Sequence, residues 1–192
     1  MPYIYDAFFS YKRDLESDAW HAKVKAKLEF WVRQELQRQD VRIFFDTEEI
    51  HTGNRFKQKL ASALKQSRCV VCVWSPLYFQ SKYCYSEWST FLHREKITQK
   101  ELVLPASFHD GESFPANAKA IQYLDFSPFA NTMPAFWDTA EAVRFQPLLQ
   151  QFARDLANMI RDAPPYDDGF PIVDVPDEEL SQEETIGRPA NG

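Results

Sequence analysis

The chain has 192 residues, 44% apolar and 26% charged, which suits one globular domain, or one domain and a tail, able to bury a real core. A formal net charge of −6 argues against general binding to phosphate backbones, so nucleic acid is not an expected partner. The longest purely apolar run, Cys69 to Trp74, falls far short of the ~20 residues that span a bilayer, so no membrane span is expected.

The opening MPYIYDAFF lacks a basic region followed by a long apolar stretch, so no signal peptide is expected. Within it, Tyr3 to Phe9 is nearly continuous in apolar character and predicts a strand covered on both faces, as in a parallel sheet. A polar stretch from Ser10 to Ser17 follows. A helix is then marked by Trp20, Val24, Leu28, Trp31 and Leu36, with Asp18 as its expected N-cap. Val41 to Phe45 reads as a second strand, and Asp46 to Asn54 as an acidic loop carrying the Gly53 turn signal. A second helix places Phe56, Leu60, Ala63 and Leu64 on one face.

Cys69 to Trp74 predicts the third strand. After Ser75 and Pro76, a helix is expected from near Ser81 to Lys96, with Cys84, Trp88 and Phe91 on its buried stripe. Glu101 to Ala106 predicts a fourth strand and Ala120 to Leu124 a fifth. Residues 126 to 143 are irregular. A last amphipathic helix carries Phe145, Leu148, Leu149, Phe152, Leu156, Met159 and Ile160. Alternating strands and helices joined by short loops imply an α/β domain: an open, mostly parallel five-stranded sheet with helices on both faces. The composition turns acidic and proline-containing at Ala163, so the expected division is a domain over 1–162 and a tail or linker over 163–192.

Only 5 glycines argue against a glycine-dependent dinucleotide fold, and 3 cysteines suit a reducing compartment. Cys69 and Cys72 lie three apart in a strand and face opposite sides of the sheet, which rules out a shared metal site or a disulfide. His21, His51, His93 and His109 have no metal-ligand spacing, so no metal is expected. Together these features predict a cytoplasmic protein.

Four segments in order resemble the signatures of TIR (Toll/interleukin-1 receptor) domains. Tyr5-Asp6-Ala7-Phe8-Phe9-Ser10-Tyr11 is similar to the first, (Y/H)-D-x-F-(I/V)-S-(Y/F). Arg42 to Asp46, followed by Gly53, is similar to the second strand and BB loop. Ser67 to Tyr78 resembles the third strand and its turn. Ser81-Lys82-Tyr83-Cys84-Tyr85-Ser86-Glu87 is similar to S-x-(W/Y)-C-x-x-E. The likeness covers residues 3 to 125, and the last helix extends it to 162. Tyr83 stands where many members carry Trp, and Ile50-His51-Thr52-Gly53 stands where a Pro-Gly pair is common.

The resemblance implies a flavodoxin-like fold and one of two activities. Some members cleave NAD+ at its nicotinamide N-glycosidic bond, as glycohydrolases or cyclases in immune or cell-death signalling. Others are non-enzymatic adaptors. Self-association is implied for both, and a sensor domain or partner protein for a chain of this kind. NAD+ would be a substrate, so no cofactor is expected. By resemblance Glu87 is the catalytic carboxylate and Ser10 lies near the ribose.

Cleaving a bond to a neutral pyridine leaving group needs no acid. It needs negative charge beside the positive charge that develops on the ribose, which one carboxylate supplies. Glu87 sits one helical turn after Tyr83 on the same face. At an ordinary carboxyl pKa of ~4.3 it is ionised at neutral pH unless burial is severe. Strand C-termini in open sheets frame the ligand crevice, which brings Phe9 to Arg13 and Asp46 to Gly53 into play. Phe9 or Tyr11 offers a ring for stacking. Lys12 and Arg13 suit either a pyrophosphate or a solvated basic loop. Asp46 offers a second pocket carboxylate or a residue that holds the loop, and the second role is preferred. A nucleoside deoxyribosyltransferase-like activity is a weaker alternative. A phosphoacceptor receiver is excluded because Ser75, not Asp, follows the third strand.

Overall fold

The computed structural model describes residues 2–46 and 54–174. Five strands form one sheet in which every pairing is parallel: β1 (Tyr5–Tyr11), β2 (Ile43–Phe44), β3 (Ser67–Trp74), β4 (Val103–Ser107) and β5 (Leu124–Asp125). Their spatial order is β2-β1-β3-β4-β5. This is the flavodoxin-like order, and its switch point lies between β1 and β3, where a ligand crevice opens at the strands' carboxyl ends. Among the described residues there are six α-helices, α1 (Asp18–Leu36), α2 (Asn54–Lys65), α3 (Pro76–Gln80), α4 (Lys82–Thr98), α5 (Ala116–Lys119) and α6 (Ala140–Asp162), with short 3-10 helices at Ser127–Phe129 and Pro134–Asp138. Almost every residue of β1 and β3 is buried, as strands covered on both faces require. Helix α1 packs on α6, while α4 crosses β1, β3 and β4. Among the described residues no helix is long and apolar enough to cross a membrane.

Several boundaries differ from expectation, each for a local reason. Strand β1 runs two residues beyond Phe9, because Ser10 and Tyr11 pair with Cys72 and Val73. Asp18 is the first residue of α1, and Ser17 occupies the cap position without a side-chain cap bond. There Asp18 still suits the helix dipole, and its Oδ1 accepts from the Asp14 N–H at 2.9 Å. Strand β2 keeps only Ile43 and Phe44 of the expected five residues. Strand β5 begins at Leu124, where the expected strand ended, because Ala116–Lys119 coils into a helical turn just before it.

The turn after β3 holds a short helix that the sequence pattern did not reveal. Ser75 caps α3 by accepting from the Tyr78 N–H at 3.2 Å, and Pro76 takes the first helical position, where a missing N–H costs nothing. Ser81 then caps α4 through the Cys84 N–H at 3.4 Å. Two capped helices in close succession set the angle at which α4 approaches β1.

After α6 ends at Asp162, residues 163–174 lie against the domain. Tyr3 donates from its hydroxyl to the Pro164 carbonyl at 3.0 Å, and its ring meets Tyr166 edge-on at 5.3 Å. Phe170 is buried against the Arg94 guanidinium, 4.5 Å from the ring centre. Val173 donates to Thr90 Oγ1 at 3.0 Å and accepts from the Ser86 hydroxyl, which fastens this strap to α4. The remainder of the expected tail, 175–192, lies outside the described residues.

Candidate active site

The crevice at the β1/β3 switch point is a cavity of about 260 Å³. It borders the ends of β1 and β2, the start of α2 and the first turns of α4. Of the residues singled out from the sequence, Phe9, Tyr11, Lys12, Arg13 and Asp46 line it from the strand side. Tyr83 and Glu87 line it from α4. Ser10 is buried beneath, and its hydroxyl donates to Glu87 Oε2 at 2.5 Å. The structure therefore brings all eight together. The BB-loop residues Ile50 to Gly53 lie outside the described residues.

Glu87 is only 8% exposed. Burial strips its carboxylate of water and pushes its pKa up to about 8, against which the Ser10 hydrogen bond pulls down and the negative charge of Asp46 pushes further up. Burial of Glu87 is severe, which is the condition under which ionisation at neutral pH is not expected, and it favours the protonated acid there. Its apolar surroundings on α4, Cys84 and Trp88, are the cause that the helical stripe already implied.

Tyr11 does not offer a free face. It is stacked between His21 at 4.6 Å and Phe45 at 4.9 Å, and its hydroxyl donates to the Asp46 carbonyl at 3.3 Å. Arg13 NH1 stands 3.9 Å from Asp46 Oδ2, and Arg13 Nε stands 3.9 Å from Asp18 Oδ2. Asp46 therefore ties the loops after β1 and β2 to each other. Tyr83 meets Phe56 edge-on at 5.8 Å, so α2 and α4 share an aromatic wall of the cavity. Tyr83 also borders a second cavity of about 230 Å³ between α2, α4 and Ile172 to Asp174.

Four lining residues escaped the sequence reading as site residues: Phe8, Phe56, Ser81 and Cys84. Phe8 and Phe56 read as ordinary core positions by periodicity. Cys84 packs as a core residue, its thiol donating to the Tyr11 carbonyl at 3.4 Å, and burial raises its pKa. It is therefore an inert thiol. All 3 cysteines are free, with Cys69 donating to the Asp6 carbonyl at 3.3 Å. Among the described residues no group of three His, Cys, Asp or Glu side chains is placed to hold a metal ion.

A family model described as TIR domain matches residues 8–136, which is most of the folded domain. The chain belongs to the TIR-domain family. One curated relative of this TIR domain, from Brachypodium distachyon, is named a probable 2′ cyclic ADP-D-ribose synthase, BdTIR. It is 26% identical over 87 residues, a match covering 41% of this chain and 39% of that protein. Among solved structures, the TIR domain of the Toll-related receptor TRR-2 of Hydra magnipapillata aligns with a TM-score of 0.44 and 20% identity. That alignment covers 74% of this chain and 98% of the other. The TIR domains of the activated Roq1 resistosome align with a TM-score of 0.44 and 19% identity, over 80% of this chain and 84% of theirs.

Proposed function

We propose that this TIR domain cleaves NAD+ at the bond between nicotinamide and ribose, with Glu87 as the catalytic carboxylate. The observation that carries the reading is the buried Glu87 carboxyl group, held by Ser10 in a cavity walled by aromatic rings and bordered by Lys12 and Arg13. The partial match to a relative named as a cyclic ADP-ribose synthase supports the same chemistry.

The cavity's volume of about 260 Å³ is at the small end for ligand pockets, which suits the nicotinamide riboside half of the substrate rather than the whole dinucleotide. The pyrophosphate then lies towards Lys12 and Arg13. Nicotinamide riboside carries a positive charge on its pyridinium ring. Its arrival beside Glu87 favours the carboxylate and lowers the pKa that burial had raised. As the C–N bond breaks, its electron pair leaves with neutral nicotinamide and positive charge moves to the ribose. Glu87, now ionised in a water-poor site, stabilises that charge. Water then attacks the ribose carbon to give ADP-ribose and a proton, or a substrate hydroxyl attacks to give a cyclic product. Self-association belongs to this reading as the means of activation.

Purified protein is incubated with NAD+, free and then clustered on a multivalent support, beside Glu87→Ala, and products are separated by chromatography. Nicotinamide release by wild type but not by Glu87→Ala is expected. Cleavage of deoxynucleosides in place of NAD+ would transfer the chemistry to the deoxyribosyltransferase reading. A folded, clustered protein that releases no nicotinamide would be an adaptor.

A further inference from the structure

We propose that Tyr78 is a positioning residue for Glu87, acting through Ser10: its buried hydroxyl, 2.7 Å from Ser10 Oγ, orients the Ser10 proton onto Glu87 Oε2. Its catalytic meaning rests on the reading of Glu87 as the reacting carboxylate. The contact chain itself does not.

Counting protons fixes the direction of each bond. A serine hydroxyl has one proton and two lone pairs, and an ionised carboxylate has no proton to give. When Glu87 is ionised, Ser10 must donate across the 2.5 Å contact. Ser10 then faces Tyr78 with lone pairs only, so Tyr78 must be the donor across 2.7 Å. Every link then points at the carboxylate, and each polarises the next. A protonated Glu87 has a proton of its own to give and still accepts through its other oxygen, so only the ionised form fixes both directions.

Tyr78 is built to hold still. It is fully buried in α3, its backbone N–H is bound by Ser75, and its ring meets Phe79 edge-on at 5.3 Å. Burial raises the pKa of its phenol well above the ordinary value, and so do the Cys72, Cys84 and Glu87 groups around it, so it stays neutral and keeps its proton to donate. The other charged or titratable groups facing Glu87 are Cys84 on α4, Lys12 and Arg13 after β1, and Asp46 after β2, with the Tyr11 and Tyr83 phenols on the same cavity. All of these remain in a Tyr78 variant, so a change in Glu87 titration there reports the relay.

The test is a pH titration of the full chain labelled with carbon-13 at the glutamate carboxyls. The Glu87 signal is identified by its absence in Glu87→Gln. Ser10→Ala removes the direct bond and is expected to raise the Glu87 midpoint by about 1–2 pH units. Tyr78→Phe removes only the second link and is expected to raise it by about half a pH unit. In a Ser10→Ala background, Tyr78→Phe is expected to change nothing, whereas a merely structural effect would persist there. An unchanged midpoint in Tyr78→Phe, or the same shift in both backgrounds, overturns the proposal.

If Tyr78→Phe does not fold, the wild-type Tyr78 hydroxyl proton serves instead. It must move in step with the Glu87 midpoint, and indifference to that midpoint overturns the proposal. Nicotinamide release adds a separate readout, in which the acid limb of the kcat/KM profile moves up by the same half unit in Tyr78→Phe with KM little changed. A wild type that releases no nicotinamide sinks the enzymatic reading, and the carboxyl titration still decides the role of Tyr78.

Discussion

Helix α4 buries two ionisable side chains about two turns apart, and the two meet opposite fates. Arg94 lies fully buried, yet its guanidinium donates to the Ser67 carbonyl at 2.7 Å and the Leu64 carbonyl at 3.1 Å. It is also covered by the rings of Phe91 and Phe170, each 4.5 Å away. Burial lowers its pKa to about 10, and at neutral pH it keeps its charge. Glu87 receives one described hydrogen bond, from Ser10, and burial takes its charge away. A buried charge survives where carbonyl dipoles and aromatic faces replace its lost water, and is suppressed where they do not. Arg94 is therefore a fixture that joins α2, β3 and the strap. Glu87 is a charge held back until a cation arrives.

The comparison breaks most completely at Glu87. Glu87→Ala is expected to lower nicotinamide release by at least about 100-fold while leaving the protein folded, as product chromatography and circular dichroism will read. Retained release would move the catalytic charge elsewhere.

The stability counterpart is nearly as large. The folded protein holds the Glu87 proton up to about pH 8, whereas the unfolded chain releases it near 4.5. Folding therefore binds a proton between those limits. The stability gained by burying the neutral acid is full below about pH 4.5 and is lost as pH rises through about 8. Glu87→Gln, which cannot ionise, is expected to gain on wild type by on the order of 3–5 kcal/mol between pH 5 and pH 9. Thermal melts at the two pH values check this, at about 2–4 °C for each kcal/mol. Parallel curves for the two proteins would mean that Glu87 is ionised in the folded state.

Arg94→Met removes the donor from two carbonyls and is expected to cost about 2–4 kcal/mol in urea unfolding, with little dependence on pH from 5 to 9. A pH-dependent loss there would mean that Arg94 titrates in the folded protein. The smallest effect belongs to the strap. Phe170→Ala uncovers one face of Arg94 and is expected to cost about 1–2 kcal/mol, because residues 163–174 can open locally without unfolding the sheet. Faster amide exchange at Val173, with the core unchanged, is the matching observation.

The sheet and the helix bearing Glu87 were legible because their signals are local. Cys69 to Trp74 is apolar without interruption, and Tyr83 and Glu87 share a face by helical spacing alone. The loops that frame the cavity followed from parallel-sheet topology once the strands were ordered. What escaped was local structure too short for periodicity and chemistry made by distant contacts. Helix α3 has 5 residues, and Tyr78 within it meets Ser10 across a separation of 68 positions. The pKa of Glu87 escaped for the same reason, since residue type gives the ordinary value and only packing gives the burial. The strap reads as polar tail by composition, yet Phe170 and the backbone of Val173 find partners on α4.

The most direct test of Glu87 as a charge held back until substrate arrives is the pH dependence of nicotinamide release by the clustered protein. The acid limb of kcat/KM, which reports the free enzyme, is expected to rise with a midpoint near the Glu87 value of about 8. The limb of kcat, which reports the bound complex, is expected at lower pH because the pyridinium favours the carboxylate. A kcat/KM limb near the ordinary carboxyl value of ~4.3, or no nicotinamide release from folded, clustered protein, would contradict the account.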